Sequence, residues 1–149
     1  MSTADATLPL DVTRRVRNTC ICLHLQQAAR AVARRFDAAL RPLGLTSGQF
    51  SLLISLNRPK AASIGDISAL LAMDRTTLTA NLKPLARRGL VTVSVDDADK
   101  RSRRLTLTPA GHALLVAAVP VWEKEHAAIE GPLKNGDPDR LRVDLRMLC

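Results

Sequence analysis

Residues 63–111 read SIGDISALLAMDRTTLTANLKPLARRGLVTVSVDDADKRSRRLTLTPAG, and this stretch decides the fold. Its first half contains two segments with apolar residues at helical spacing, and each segment follows a helix-capping residue, Ser63 or Asp74. Ser63 and Asp66 form a capping-box pattern, and Gly89 is placed to end the second segment. The stretch therefore predicts two short amphipathic helices joined by a tight turn.

The second predicted helix has two unlike faces. Leu78, Leu82 and Leu85 recur at helical spacing on the face that would be buried. The opposite face carries short hydrogen-bonding groups and cations instead of the Glu–Lys pairs typical of a solvated helix, which suits DNA phosphates and base edges in a major groove. The residues of this helix that we expect to contact DNA are Arg75, Thr76, Thr77, Thr79, Asn81 and Lys83. Pro84 should bend the helix, so contacts before Lys83 are favoured over later ones.

Two alternating segments joined by a charged loop follow these helices. Val91, Val93 and Val95 alternate with polar residues, which predicts a half-buried strand, and residues 105–107 repeat the pattern on the return. The intervening loop, DDADKRSRR at residues 96–104, is polar, and arginine at a hairpin tip can enter the narrow, strongly negative minor groove of DNA. The wing residues that we expect to contact DNA are Asp99, Lys100, Arg101 and Arg103. Together these patterns predict a mainly α fold with a small β-hairpin wing, a winged helix-turn-helix.

Several spaced elements of this layout resemble the MarR family of bacterial transcription regulators. The resemblance is carried by GLV at residues 89–91, DKR at residues 99–101 and LTPAG at residues 107–111, and it extends over most of the chain. It implies a homodimer that binds double-stranded DNA, with the first and the last two helices at the dimer interface. It also implies that Asp99 orients Arg101, and that a small anionic or aromatic ligand binds between the dimer helices and the winged part.

The composition of the chain favours a nucleic-acid partner. The chain has 149 residues, which fits one domain, and its formal net charge of +8 and pI near 10.4 are typical of a protein that binds a polyanion. Two phenylalanines, one tryptophan and no tyrosine argue against stacking platforms for single strands or RNA. No segment predicts a membrane span or a signal peptide, so we expect a cytoplasmic protein that does not bind membranes.

The sequence contains no pattern typical of an enzyme, such as a nucleophile elbow, a phosphate-binding loop or paired carboxylates. We therefore expect no catalytic residues and no cofactor. The three histidines and three cysteines lack the H-x-x-x-H and C-x-x-C spacings of metal sites, which disfavours a metal as well. A binding function is favoured over a catalytic one.

The rest of the chain is expected to supply a dimer interface. Asp11 to Leu43 reads as one continuous helix with apolar residues on more than one face, and one small domain could hardly cover both faces. This excess apolar surface predicts a homodimer. Pro120 should kink the long helix after the wing, and a short last helix begins at Asp137-Pro138. The predicted boundaries are a flexible tail at 1–10 and a single MarR-like domain at 11–149, in which dimerisation helices at 11–44 and 109–149 flank the winged helix-turn-helix at 46–108, with its wing at 91–107.

Two further predictions concern effectors. His24, Arg41, Phe50 and Trp122 are candidates for the walls of a ligand cleft. The stretch around Cys22 resembles the one around the reactive cysteine of peroxide-sensing MarR relatives, which hold the thiolate with tyrosines. Because this chain has no tyrosine, a buried packing cysteine is favoured over a redox sensor.

Three classes of function remain open at this point. We favour a homodimeric repressor that binds a pseudo-palindromic operator and is released by a small-molecule ligand or an oxidant. A basic architectural DNA-binding protein without an effector would bind DNA regardless of its sequence. A protein-interaction module with an idle wing would not bind DNA at all.

Overall fold

The computed structural model describes residues 7–133 and 135–149 and is mainly helical. Its helices are α1 (Leu10–Thr19), α2 (Ile21–Leu40), α3 (Ser47–Ser55), α4 (Ile64–Leu70), α5 (Arg75–Arg87), α6 (Pro109–Glu130) and α7 (Pro138–Arg146). Its strands β1 (Ala62–Ser63), β2 (Val91–Val95) and β3 (Arg103–Leu107) form one antiparallel sheet in the order β1-β3-β2. This arrangement confirms the predicted mainly α fold with a small wing.

The chain divides into two compact units, one that ends at Arg34 and one that spans Arg35–Cys149. The boundary lies inside α2, so the prediction of a single domain over residues 11–149 stays a prediction. Of the predicted flexible tail, residues 1–6 lie outside the described residues. No helix among the described residues combines the length and the apolar character needed to cross a membrane.

The prediction of one continuous helix over residues 11–43 is wrong, because the helix is interrupted at Cys20. Cys20 has an extended backbone (φ −69°, ψ 108°), and its carbonyl accepts hydrogen bonds from His24 N at 3.2 Å and from His24 Nδ1 at 2.8 Å. The hydroxyl of Thr19 donates to Arg15 O at 2.8 Å. Side chains that bond to nearby backbone groups compete with the helix, and the β-branched Thr19 lies next to the break.

The end of the predicted first helix also differs. A 3₁₀ turn at residues 41–43 replaces its last turn, since Pro42 lacks the amide hydrogen that an α-helical bond needs. Gly44 follows at φ +66°, a left-handed conformation that glycine adopts readily. The guanidinium group of Arg88 donates to Leu43 O at 3.3 Å and to Gly44 O at 2.7 Å. These bonds tie the end of α5 to the turn that precedes α3.

The core of the larger unit is formed by helices that pack around α3 and α5. α3 contacts α5 and α6, and α4 contacts α5 and the sheet. The buried face predicted for the second helix of the motif, Leu78, Leu82 and Leu85, is confirmed as part of this core. The other buried members are Leu40, Leu45, Phe50, Leu52, Leu53, Leu56, Ala62, Ile67, Leu90, Val91, Leu105, Leu115 and Ala118.

The sheet departs from the sequence prediction in two ways. β1 is an additional strand in which Ala62 pairs with Leu105, and two residues are too few to show an alternating pattern in a sequence. The prediction that β2 buries its valines is correct only for Val91, because Val93 and Val95 are 40% and 52% exposed. β2 is an edge strand, and the hairpin extends away from the core, so its outer half has little to pack against.

The first turn of α6 lies against the loop that precedes β2. The Thr108 hydroxyl accepts a hydrogen bond from Gly111 N at 3.0 Å and donates one to Gly89 O at 2.7 Å. A Cβ atom on Gly111 would lie 2.1 Å from Leu90 O, much closer than a nonbonded contact allows. This close approach explains the glycine at the end of the LTPAG pattern.

The prolines and the last helix agree with the predicted positions. Pro84 and Pro120 lie inside α5 and α6, and both helices continue through them. The bends expected at these prolines stay predictions. Asp137 caps α7, where its Oδ1 accepts a hydrogen bond from Asp139 N at 2.9 Å.

Candidate nucleic-acid interface

α5 is the predicted recognition helix, and Asp74 holds its first turn. The Asp74 carboxylate accepts hydrogen bonds from the backbone N of Thr77 at 2.8 Å and from the Thr77 hydroxyl at 2.7 Å. These bonds lower the pKa of the Asp74 carboxyl from its ordinary value. Thr77 is exposed, but its hydroxyl already donates a hydrogen bond to the capping carboxylate of Asp74. It is therefore less available for a contact with DNA than the sequence suggested.

The outward face of α5 lies opposite the buried leucines. Thr76, Ala80, Lys83 and Arg87 occupy this face at helical spacing, and all four are exposed. Thr76 and Lys83 are among the predicted contacts, whereas Ala80 and Arg87 are not. Spacing alone could have identified both, because they follow Thr76 by four and eleven residues and therefore share its side of the helix.

Asn81 lies in surroundings unlike those of the other predicted contacts, and its contact with DNA stays a prediction. Its side chain is half-buried, and its Nδ2 donates to Thr77 O at 3.1 Å and lies 3.8 Å from Met73 Sδ. A Cβ atom on Gly48 of α3 would lie 3.2 Å from Asn81 Oδ1, so the amide fills the space between α3 and α5. The side chain is turned towards α3, and positioning α5 suits it better than reading base edges.

Polar contacts hold the wing in shape. Asp96 accepts hydrogen bonds from Ala98 N at 2.9 Å and from Arg104 Nε at 2.8 Å, and these contacts, chiefly the one from Ala98, lower the pKa of the Asp96 carboxyl. Asp99 Oδ1 accepts a hydrogen bond from Arg101 N at 3.0 Å. The contact of Asp99 with Arg101 is therefore made to the backbone, and it shapes the turn that carries the arginine.

The tip of the wing presents its cations to solvent. Lys100 and Arg101 are exposed, as the sequence predicts for DNA contacts. Arg103 is also exposed, and its Nη1 donates to Lys100 O at 3.2 Å and to Ser102 O at 3.3 Å. The Arg103 side chain is thus held against the backbone of the wing loop.

A polar hollow of about 420 Å³ separates α5 from the wing. Its walls include Arg75 and Thr79 of α5 and Asp99, Arg101 and Arg103 of the wing. The structure thus brings predicted residues from both elements to one place, where three arginines line a polar space, and arginine is the side chain best suited to bind phosphate. The predicted contacts that do not line this hollow are Thr76, Thr77, Asn81, Lys83 and Lys100.

A second, apolar cavity of about 350 Å³ lies between the end of α2, α3 and α6. Two predicted ligand-binding residues, Phe50 and Trp122, meet in its wall with ring centroids 6.4 Å apart and planes 16° from parallel. The other two do not line it. Arg41 is exposed on the 3₁₀ turn and lines a different surface hollow, and His24 lies in the N-terminal unit, where its Nδ1 bonds to Cys20 O. The complete wall of the cavity is Phe36, Ser47, Phe50, Ser51, Ile54, Val119 and Trp122.

The environment of Cys22 differs from the buried one that the sequence favours. In the single chain Cys22 is exposed, and its Sγ accepts a hydrogen bond from Gln26 Nε2 at 3.3 Å. A packing role would thus need a surface from outside the single chain. In the described part of the chain, no three His, Cys, Asp or Glu side chains lie together as a metal site, and the absence of a metal and of a cofactor stays a prediction.

Comparison with known proteins identifies the family. The family model of MarR matches residues 45–102, which run from the start of α3 into the wing. The transcriptional activatory protein BadR of Rhodopseudomonas palustris is 32% identical over 117 residues, or 76% of this chain and 67% of BadR.

Solved structures extend the similarity beyond the matched segment. The transcriptional regulator MosR of M. tuberculosis, in complex with DNA, is 38% identical with a TM-score of 0.78, over 87% of this chain and 92% of the MosR chain. BpsR of Bordetella bronchiseptica, whose DNA binding is regulated by 6-hydroxynicotinic acid, is 29% identical with a TM-score of 0.72, over 86% of this chain and 89% of the BpsR chain. With its winged core and basic interface, this chain belongs to the MarR family of DNA-binding transcription regulators, which are not enzymes.

Proposed function

We propose that the chain acts as a homodimeric, sequence-specific repressor that binds a pseudo-palindromic operator and is released by a small-molecule ligand. The observation that carries the DNA-binding part is the hollow in which arginines of α5 and of the wing come together. Such a constellation neutralises backbone phosphates, and it lies beside a helix face that suits the major groove.

In the proposed complex, α5 lies in the major groove and the wing crosses the backbone towards the minor groove. Thr76, Lys83 and Arg87 face the groove because they share the outward side of α5. Arg101 extends from the tip of the wing, where a narrow minor groove would attract its charge. MosR, the relative of known structure with 38% identity, was solved in complex with DNA, which supports this use of the fold.

Exposed apolar side chains near both ends of the chain support the homodimer. Leu10, Val16 and Ile21 are exposed in the N-terminal unit. Those exposed towards the C-terminus are Leu133, Leu141, Val143, Met147 and Leu148. A monomer rarely leaves this much apolar surface in water, and a second copy would cover it. Each subunit would then read one half-site, with half-site centres about 10 base pairs apart.

Repression is the simpler outcome for a dimer that occupies a promoter, since the bound protein excludes the polymerase. The relative BadR is a transcriptional activatory protein, so a member of the family can also activate transcription. The position of the operator decides between repression and activation. A promoter–reporter fusion with the operator placed over the promoter should lose expression when the regulator is supplied, and a gain of expression would contradict repression.

The apolar cavity supports release by a ligand. Its walls belong to the end of α2, to α3 and to α6, and α3 also packs directly against α5. A ligand that prefers one arrangement of α3 against α2 would therefore shift the position of the recognition helix. The relative BpsR offers a parallel, because 6-hydroxynicotinic acid regulates its DNA binding.

An oxidant is the second candidate for the releasing signal, because Cys22 is exposed in the single chain. The chain contains no tyrosine to hold a thiolate, so we expect an organic hydroperoxide to release the wild type and Cys22→Ser from the operator equally poorly. Release of the wild type alone at stoichiometric peroxide would make Cys22 a redox switch.

The decisive experiment is the selection of bound DNA from a random pool, with sedimentation of the protein alone at micromolar concentration. We expect a pseudo-palindrome and a symmetric dimer. Recovery of unrelated sequences with equal affinity would favour a basic architectural protein without an effector, which the net charge of +8 would also suit. A monomer at all concentrations would contradict the dimer, and absence of binding would leave only an interaction module.

A further inference from the structure

We infer that the apolar cavity between α2, α3 and α6 takes an uncharged, planar aromatic molecule and rejects an anion of the same shape. The inference rests on the proposed ligand-responsive regulator and concerns the same cavity. The new element is that the ligand carries no charge. The resemblance to the family implies only a small anionic or aromatic ligand and does not decide the charge. The inference also distinguishes this chain from BpsR, whose regulator is a carboxylic acid.

The chemistry of the cavity wall carries the inference. The side chains that line the cavity are five apolar or aromatic ones and the hydroxyls of Ser47 and Ser51, and none of them is charged. A carboxylate that entered this space would give up its hydration shell and gain at most two hydroxyl donors. Burial of an ionised group without a cationic partner is strongly unfavourable, whereas an uncharged ring loses little by leaving water.

The charges around the wall would not help an anion either. The carboxylate of Asp37 accepts a hydrogen bond from Ser47 N at 2.6 Å and so adds a negative charge beside a lining residue. Arg35 is paired with Glu125, with Nε and Oε1 2.6 Å apart. Arg41, the cation that the sequence suggests for an anionic ligand, does not belong to the cavity wall. None of these three groups therefore offers an unpaired cation to an anion in the cavity.

The shape and the aromatic surfaces point to a planar ring. Phe50 and Trp122 are within 16° of parallel, so a flat molecule can pack along the faces or edges of both rings. His126 stacks on Trp122 with ring centroids 4.5 Å apart and helps to hold the indole in place. Ser47 and Ser51 lie one helical turn apart on α3, where they can bond to a hydroxyl, carbonyl or amide group. A cavity of about 350 Å³ suits one or two rings.

The chain contains a reporter for this site. Trp122 is its single tryptophan, and there is no tyrosine, so intrinsic fluorescence comes from the wall of the cavity. The probes are cinnamamide and cinnamate, which have the same ring and nearly the same shape but differ in charge at pH 7. Affinity is measured by calorimetry, and Trp122 fluorescence reports where the probe binds.

We expect cinnamamide to bind the protein at least tenfold more tightly than cinnamate and to change the Trp122 fluorescence. Ser51→Phe should fill the cavity and abolish this binding. The matched variant Ser51→Ala should keep the cavity and retain most of the affinity, and Arg41→Ala should change neither affinity. Thermal unfolding of each variant shows whether it is folded.

Three results would overturn the inference. Cinnamate that binds as tightly as cinnamamide, or that loses affinity in Arg41→Ala, would show an anion site. If neither probe binds the folded wild type, the cavity does not take such ligands. Operator binding measured on the same samples separates these results from a failure of the proposed function, because a regulator with a different ligand would still bind its operator.

Discussion

The recognition helix and the wing both present cations to the proposed DNA surface, but they are held in place by different forces. One side of α5 is buried through Leu78, Leu82 and Leu85, so the position of its outward face is set by the core. The wing is buried only at its base, and Val95 near its tip is 52% exposed. Its outer part is shaped by hydrogen bonds to carboxylates, such as the one between Asp96 and Arg104.

This difference predicts a division of labour. A helix fixed by close packing holds its side chains in defined positions, as the reading of base edges requires. A hairpin held mainly by polar contacts, with little apolar packing at its tip, adapts to the DNA backbone and contributes attraction that depends little on sequence. Substitutions in the two regions, and acid, should therefore have different effects on stability and on DNA binding.

Gly111→Ala should disrupt both regions at once, because Gly111 packs on Leu90, which connects α5 to β2. The added Cβ would lie 2.1 Å from Leu90 O, and the backbone cannot move away without displacing the start of α6. We expect the free energy of unfolding to fall by about 3 kcal/mol, as measured by urea denaturation. Gly131→Ala is the matched control, because its Cβ would make an ordinary contact at 3.5 Å. An equal change in both variants would show that the contact at Leu90 is easily relieved.

Thr76→Ala and Asn81→Ala should separate reading of DNA from support of the helix. Thr76 is at the centre of the outward face, so its loss should reduce the preference for operator over random DNA by about 1–3 kcal/mol per base contact. Asn81 is turned towards α3, so Asn81→Ala should instead lower the free energy of unfolding by about 1 kcal/mol and leave the preference nearly unchanged. Competition binding and urea denaturation measure the two quantities. Loss of preference in Asn81→Ala without loss of stability would restore the base-reading role.

Arg101→Ala should weaken the binding of every DNA sequence to a similar extent. Arg101 is exposed at the tip of the wing and lines the hollow, so it is placed for a phosphate or the minor groove. If one phosphate contact per subunit is lost, the slope of log K against log salt concentration should fall by about 1.8 for the dimer. The control Lys124→Ala removes an exposed cation from α6 and should leave the slope unchanged. A sequence-dependent loss in Arg101→Ala would contradict the division between wing and helix.

Acid should weaken the polar contacts that hold the wing and also the carboxylate caps of α4 and α5, whereas apolar packing has no group that titrates. The folded state lowers the pKa of Asp96, mainly through the bond from Ala98 N, and it lowers the pKa of Asp66 and Asp74 through their helix caps. A lowered pKa stabilises the fold above the ordinary aspartate value of about 3.9, and this contribution is lost as the pH falls through the lower folded value. Stability should therefore be flat from neutral pH to about pH 5 and decline below about pH 4.

Asp96→Asn tests the contribution of the wing to this decline. The variant should be slightly less stable than the wild type at pH 7 and should lose less stability on acidification. Asp97→Asn, which changes the exposed neighbouring residue, serves as the control and should follow the wild type. If Asp96→Asn and the wild type lose the same stability between pH 5 and pH 3, Asp96 does not contribute to the acid dependence.

Local patterns in the sequence predict most of the winged core. Ser63 and Asp74 cap helices as expected from their types and spacing, because a cap is a contact between residues three apart. The three leucines of α5 are buried for a similarly local reason, since one amphipathic face must leave water. Residues of α5 and of the wing that the sequence suggests for DNA contact line one polar hollow, and their role in DNA binding stays a prediction.

Two kinds of feature were not predictable from the sequence: a local break in a helix, and contacts with distant neighbours. The break at Cys20 depends on competing side-chain bonds within one turn, which the apolar spacing does not show. Asn81 was expected to face DNA because its residue type suits adenine, but α3 occupies the space beside it. Arg41 and Trp122 are both plausible ligand contacts in the sequence, yet only Trp122 lines the apolar cavity.

Capping, periodicity and charge are properties of residues that are near one another in the chain, so they specified the helices of the winged core, the wing and its basic residues. The orientation of a flanking residue, the burial of an edge strand and the composition of a cavity wall depend on segments that meet only after folding. Asn81, Val93 and the lining of the cavity were therefore decided by packing between α2, α3, α5 and α6 and by the edge position of β2. The charge of the ligand that the cavity accepts also depends on the tertiary structure, because folding determines which side chains line the cavity and leaves Arg41 outside its wall.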